Sequence, residues 1–158
     1  MPDRKLFYED PDLDLVETEV VEAGAIDGKP WVRIEATVFY PGGGGQPADR
    51  GTISGIPVVD VLERGDEILH VLAGPLPPGP AVARIDAALR FERSQQHTAQ
   101  HLLTSVLLVR HGLPTTAFHL GDEYAAIEVA GPVPERDLLP SFEDEVNAEI
   151  RLDRGVAS

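Results

Sequence analysis

An α+β fold is predicted for this chain, with a strand-rich first half followed by a second half in which helices and strands mix. Three observations predict it. Short apolar runs separated by Gly, Asp and Pro fill the stretch from Val16 to Leu72. The segment Gly74-Pro75-Leu76-Pro77-Pro78-Gly79-Pro80 then breaks regular structure, since proline removes backbone donors and glycine removes backbone preference. Beyond Asp86 the apolar residues fall at helical spacing.

The runs Val16 to Val21, Trp31 to Tyr40, Gly51 to Ile53, Val58 to Leu62 and Ile68 to Leu72 read as strands. Trp31-Val32-Arg33-Ile34-Glu35 alternates apolar and polar residues, as a strand with one buried face does. Several short strands with no helix between them suggest a small barrel or a curled antiparallel sheet. The Gly/Pro segment is placed as a hinge, giving a β-barrel subdomain over 1–86 and an α/β subdomain over 87–158. In the latter, Leu89, Leu102, Leu103, Val106, Leu107 and Val109 mark a helix that Gly112 and Pro114 stop. Phe118 to Val129 reads as a strand pair turning at Asp122-Glu123, and Leu138 to Leu152 as a helix.

Composition narrows the function. A chain of 158 residues that is 42% hydrophobic can bury a core. No apolar run approaches the roughly 18 residues of a membrane span, and Met1-Pro2-Asp3-Arg4-Lys5 opens no secretory signal. A cytoplasmic protein without a membrane partner is expected. Cysteine is absent, so no disulfide or thiolate ligand can form within these residues. The net charge of −14 divides as 16 acids against 7 bases through Asp86 and 11 against 6 after it. Neither half carries a basic block that would grip phosphates by charge alone.

Three stretches could carry chemistry. In Gln96-His97-Thr98-Ala99-Gln100-His101, two imidazoles four residues apart share one helical face, where one divalent metal could be held by both. The same pair would also suit an ordinary solvent-facing helix. Thr98 occupies the position that a zinc peptidase helix gives to its glutamate base, which disfavours that chemistry.

The second stretch is Phe39-Tyr40-Pro41-Gly42-Gly43-Gly44-Gly45-Gln46-Pro47. Four glycines could be a flexible linker. Clamped between a strand and two prolines, they read instead as a loop whose bare backbone approaches a ligand. No Lys-Ser or Lys-Thr follows, so this is not a P-loop. Asp49 and Arg50 beside it read as turn and solvent residues. The third stretch is Thr116-Ala117-Phe118-His119-Leu120-Gly121, in which His119 is either a strand histidine satisfied locally or a site residue. His70 and His111 are assigned no role.

Together and in this order, the three stretches resemble those of the AlaX-type alanyl-tRNA editing proteins, relatives of the editing domain of alanyl-tRNA synthetase. Phe39 to Pro47 followed by Asp49 and Gly51 resembles the family's glycine-loop motif, and Gln95 to Leu103 its first zinc half-site. Phe118 to Gly121 with Ile127 resembles the strand motif that follows, and Asn147 sits in a segment similar to the next helix. The resemblance runs from about Phe7 to Arg154.

The resemblance implies a translation-protein-like β-barrel followed by an α/β two-layer sandwich like the threonyl- and alanyl-tRNA synthetase editing region. It implies a trans-acting hydrolase whose partner is mischarged tRNA(Ala), from which serine, or glycine, is cleaved with the help of zinc on His97 and His101. Amides of Gly43, Gly44 and Gly45 would approach the ester or terminal ribose, and Gln46 would supply a catalytic amide. Thr37 would read the serine hydroxyl, and His119 would contribute to the substrate site. In the family a Cys-x-x-x-His pair beyond the position of Asn147 completes the zinc site. With no cysteine here, three alternatives stand open: a longer protein, a second subunit (as in a homo-oligomer) or water completing the site, or lost metal binding. The last would leave a non-catalytic module that binds an aminoacyl end or a protein.

Overall fold

The computed structural model describes residues 3–121, 124–132 and 134–155. The chain forms two compact units that part at Arg93/Ser94. In the first, β1 (Arg4–Lys5) and the single-turn α1 (Leu6–Glu9) precede β2 (Leu15–Ile26), β3 (Lys29–Ile34), β4 (Ala36–Thr37), β5 (Gly51–Ile53), β6 (Ile56–Arg64), β7 (Glu67–Leu72) and β8 (Gly79–Ile85). Antiparallel pairing runs β2-β3-β7-β6-β5-β8 and returns to β2, so the six strands close on themselves. The ring is thinnest between β3 and β7, where only Trp31↔Val71 and Val32↔His70 are in register. Separately, β1 pairs in parallel with β4.

Two-residue turns set the register. Asp27-Gly28 and Ser54-Gly55 adopt positive φ at both positions, the mirror-image turn whose twist matches antiparallel strands. The Asp27-Gly28 turn carries β2 on to Ile26, well past the Val16 to Val21 expected, because β2 serves two neighbours. Leu15 to Val20 pair with β8, and Val20 to Ile26 pair with β3 across a bulge. Val20, Val32, Ile34, Ile53, Val61, Ile68, Leu72 and Ala83 fill the interior.

Two expectations need correction. The run Trp31 to Tyr40 is not one strand. It leaves the ring after Ile34, pairs briefly with β1 as β4, and then turns toward Asp49, which holds the Tyr40 amide. Nor does Gly74 to Pro80 end the β unit as a hinge. Gly79 and Pro80 already belong to β8, where Pro80 lies opposite Glu19 and Ala81, Ala83 and Ile85 alternate inward. Alanines gave that strand a weak apolar signature.

The helix α2 (Ala87–His111) begins in the first unit and continues into the second. Asp86 caps it, its carboxylate accepting from the Leu89 amide at 3.0 Å. Gly112, at φ +65°, ends it, and the amides of Gly112 and Leu113 take up the carbonyls of Leu108 and Leu107. In the second unit follow the antiparallel pair β9 (Thr115–Leu120) and β10 (Ala125–Val129), a 3₁₀ turn (Arg136–Leu138) and α3 (Leu139–Ile150). The expected turn residues Asp122 and Glu123 lie outside the described residues. Leu107, Leu113 and Phe142 form this unit's core, with Leu103, Ile127 and Val129 against it. Among the described residues, no helix is long and apolar enough to cross a membrane.

Candidate functional site: a glycine turn and a histidine pair

The glycines form a built turn. Gly43 and Gln46 exchange both backbone hydrogen bonds, each 2.9 Å, and Gly44 and Gly45 cap the bridge at φ +58° and +89°. Glycine adopts these angles at no steric cost. A Cβ on Gly42 would lie 3.0 Å from the Ala48 amide nitrogen, so that glycine also answers a close approach. The Gly43 amide, expected to meet substrate, is committed inside the bridge. The amides of Gly44 and Gly45 and the side chain of Gln46 make no hydrogen bond among the described residues. They are the polar groups of the turn that its own hydrogen bonds leave unused.

Beneath the turn lies a polar anchor that the sequence did not disclose. Asp49, expected to be a turn or solvent residue, is 4% exposed. Its carboxylate accepts from the Tyr40 amide at 2.7 Å, and its own amide donates to the Tyr40 carbonyl at 3.0 Å. Arg90 faces it with two nitrogens. Nη2 donates to Asp49 Oδ2 and to the Val38 carbonyl, while Nε lies 3.3 Å from Oδ1. The third nitrogen of Arg90 reaches the carbonyls of Pro11 and Leu13 at 3.2 and 3.4 Å. One turn later on α2, Arg93 donates to the Ala48 carbonyl at 2.6 Å.

Thr37 is fully buried. Its hydroxyl lies 2.8 Å from His70 Nε2 and accepts the Phe39 amide at 3.0 Å. With His70 Nδ1 3.3 Å from the Val32 carbonyl, one tautomer satisfies every partner: Nδ1–H donates to Val32 and the Thr37 hydroxyl donates to Nε2. Burial pushes the His70 imidazole down to about 4, outweighing the Val32 carbonyl, so it is neutral at physiological pH. Thr37 as placed therefore has its hydroxyl spent on the interior and offers no surface to a substrate. The partner that explains it, His70, carried no signal in the sequence beyond its apolar neighbours in Ile68-Leu69-His70-Val71-Leu72.

In the second unit the imidazoles of His97 and His101 meet. Their Nε2 atoms are 3.1 Å apart and their ring centroids 4.7 Å. With metal–nitrogen bonds of about 2.0–2.1 Å, two nitrogens at this separation subtend roughly 100°, near the tetrahedral angle. His97 also lies parallel to the Phe118 ring, with centroids 6.4 Å apart and planes inclined 13°. The pair thus fits one half of a tetrahedral site. No cluster of three or more His, Asp or Glu side chains suited to a metal occurs among the described residues. His119 does not join them. Alternation along β9 puts it on the face opposite Phe118, exposed, with its ring 5.5 Å from that of Tyr124.

No family model matches the chain. Among curated proteins, it is 37% identical over 151 residues to the alanyl-tRNA editing protein AlaX-L of Pyrococcus horikoshii, which covers 90% of this chain and 37% of that protein. It is 42% identical over 121 residues to the alanyl-tRNA editing protein Aarsd1 of Mus musculus, covering 76% of this chain and 29% of the relative. An alanine–tRNA ligase of Korarchaeum cryptofilum matches at 40% identity over 108 residues, 65% of this chain and 12% of the ligase. The chain therefore spans little more than a third of the length of the first of these and less of the others. By sequence, it is a relative of the AlaX-type alanyl-tRNA editing proteins, the family its three motifs resemble.

Proposed function

We propose that this chain takes part in editing mischarged tRNA(Ala), hydrolysing the ester that joins serine, or glycine, to the tRNA. Support comes from the names of its relatives and from one geometric observation, the 3.1 Å between the Nε2 atoms of His97 and His101. The architecture that goes with this reading is a translation-protein-like barrel and an editing-type α/β sandwich.

His97 and His101 are the residues that would hold zinc, which when bound would supply a positive centre for orienting and polarising the aminoacyl group. The chain's own groups do the rest. Gly44 and Gly45 offer bare amides that can bind an ester oxygen or a ribose hydroxyl, and the Gln46 carboxamide supplies both a donor and an acceptor. Thr37 acts from behind, fixing the start of the Phe39 to Gly42 segment through the Phe39 amide. His119 belongs to the substrate side only if a ligand reaches the outer face of β9. Acidity throughout the chain favours recognition of the aminoacyl end and RNA shape over bulk attraction to phosphates.

A second reading, a non-catalytic module for an aminoacyl end, rests on the absence of a third ligand among the described residues. One assay separates the two. The purified chain with zinc is expected to release serine from Ser-tRNA(Ala), with His97→Ala and His101→Ala each abolishing release. Release unaffected by both substitutions rejects the metal role. Release equal to a no-protein control, with an aminoacyl-adenosine analogue still bound, selects the module.

A further inference from the structure

We propose that Asp49 and Arg90 are the positioning residues of the glycine turn, a buried ion pair that presets the Gly44 and Gly45 amides to receive the aminoacyl-ribose end. This rests on the reading of the turn as a substrate-binding element.

The chain from Tyr40 to Asp49 leaves the barrel and returns. Its two ends are joined by a pair of hydrogen bonds, Tyr40 amide to Asp49 carboxylate and Asp49 amide to Tyr40 carbonyl. Without a fixed carboxylate, only one of those bonds would hold the ends together. Arg90 fixes it. The guanidinium meets both oxygens of Asp49, and the side chains of the pair are 11% and 3% exposed, so solvent does not compete for the contact. Its remaining donors go to the carbonyls of Pro11 and Leu13, just ahead of β2, and of Val38, just after β4. Only a planar fork with several donors can serve all of these at once, which a lysine cannot do.

The turn itself cannot supply such order. Four glycines carry the largest conformational entropy per residue, and the Gly43–Gln46 bridge alone is a marginal restraint. The 3.4 Å contact of the Tyr40 hydroxyl with the Gly43 carbonyl adds little, lying at the long end of the range. A glycine run therefore gains access to a ligand at the cost of order, and the Asp49–Arg90 pair restores order from underneath. An amide donor that must meet one oxygen is effective only if it is held before the ligand arrives.

The test uses Asp49→Asn and Arg90→Lys in the full chain, with folding checked by thermal melting. Asp49→Asn keeps an acceptor for the Tyr40 amide but loses the charge that draws Arg90. Arg90→Lys keeps the charge but loses the fork. Amide hydrogen exchange at Gly43 and Gln46 is expected to quicken at least tenfold in both, with the β6 and β7 amides unchanged. Binding of 3′-seryl-amino-3′-deoxyadenosine, which cannot be hydrolysed, is expected to weaken at least tenfold. Unchanged exchange at the turn, or faster exchange with unchanged binding, overturns the positioning role while the editing reading stands. Failure of the wild-type chain to bind the analogue overturns the editing reading and this proposal with it, whatever the exchange shows.

Discussion

The glycine turn and the histidine pair are built on opposite principles. Every polar group around the base of the turn is matched: Asp49 by Arg90 and the Tyr40 amide, and Thr37 by His70 and the Phe39 amide. The two imidazoles on α2 rest on a helix and one aromatic ring, with His97 half-buried and His101 exposed. The first region is a framework whose order is supplied by its own chain. The second is a pair of imidazoles in direct contact with each other, their Nε2 atoms 3.1 Å apart. The difference is one of local order: the first region holds itself through buried polar pairs, whereas the second leaves its side chains near the surface.

This contrast can be broken by substitution. The largest effect is expected at Asp49. Asp49→Ala leaves the Arg90 guanidinium buried with no counter-charge, at a cost of about 3–5 kcal/mol. Urea unfolding would measure it, and a loss below 1 kcal/mol would show that water reaches the pair. Next comes acid. His70 has a folded value of about 4 against an ordinary 6.5, so as pH falls the unfolded chain binds this proton first. The stability His70 contributes is complete above pH 6.5 and is lost progressively as pH drops toward 4, by about 3 kcal/mol. His70→Gln should flatten this part of the pH–stability curve. An unaltered slope would mean that other groups carry it. The smallest effect is expected at the histidine pair itself. His97→Ala and His101→Ala should each change unfolding free energy by no more than about 0.5 kcal/mol without metal. A larger loss would mark the pair as part of the framework.

Legibility in the sequence followed the range of the interactions concerned. Gly51 to Ile53 and the extent of α2 were readable because turn residues, a capping aspartate and a terminal glycine act within a few positions. So was the histidine pair, whose spacing brings the rings together on any helix. The strand β8 was not, since Ala81 and Ala83 are buried only because β2 and β5 flank them. The extension of β2 was available in Asp27-Gly28, a hairpin signal that apolar runs alone overlook. Asp49 looked like a loop residue because nothing near it in the chain announces Arg90, which lies 41 residues away.

The amino-acid order by itself determined the most local features: where α2 starts and stops, and that Gly44 and Gly45 can take a tight mirror-image turn. These follow from backbone sterics and side-chain period, which need no distant partner. Only the tertiary structure decided that Thr37 faces inward to His70 and that Asp49 is a buried anchor. Those outcomes depend on desolvation and on partners tens of residues away, so the cost of burying a polar group is fixed only once the chain has closed around it.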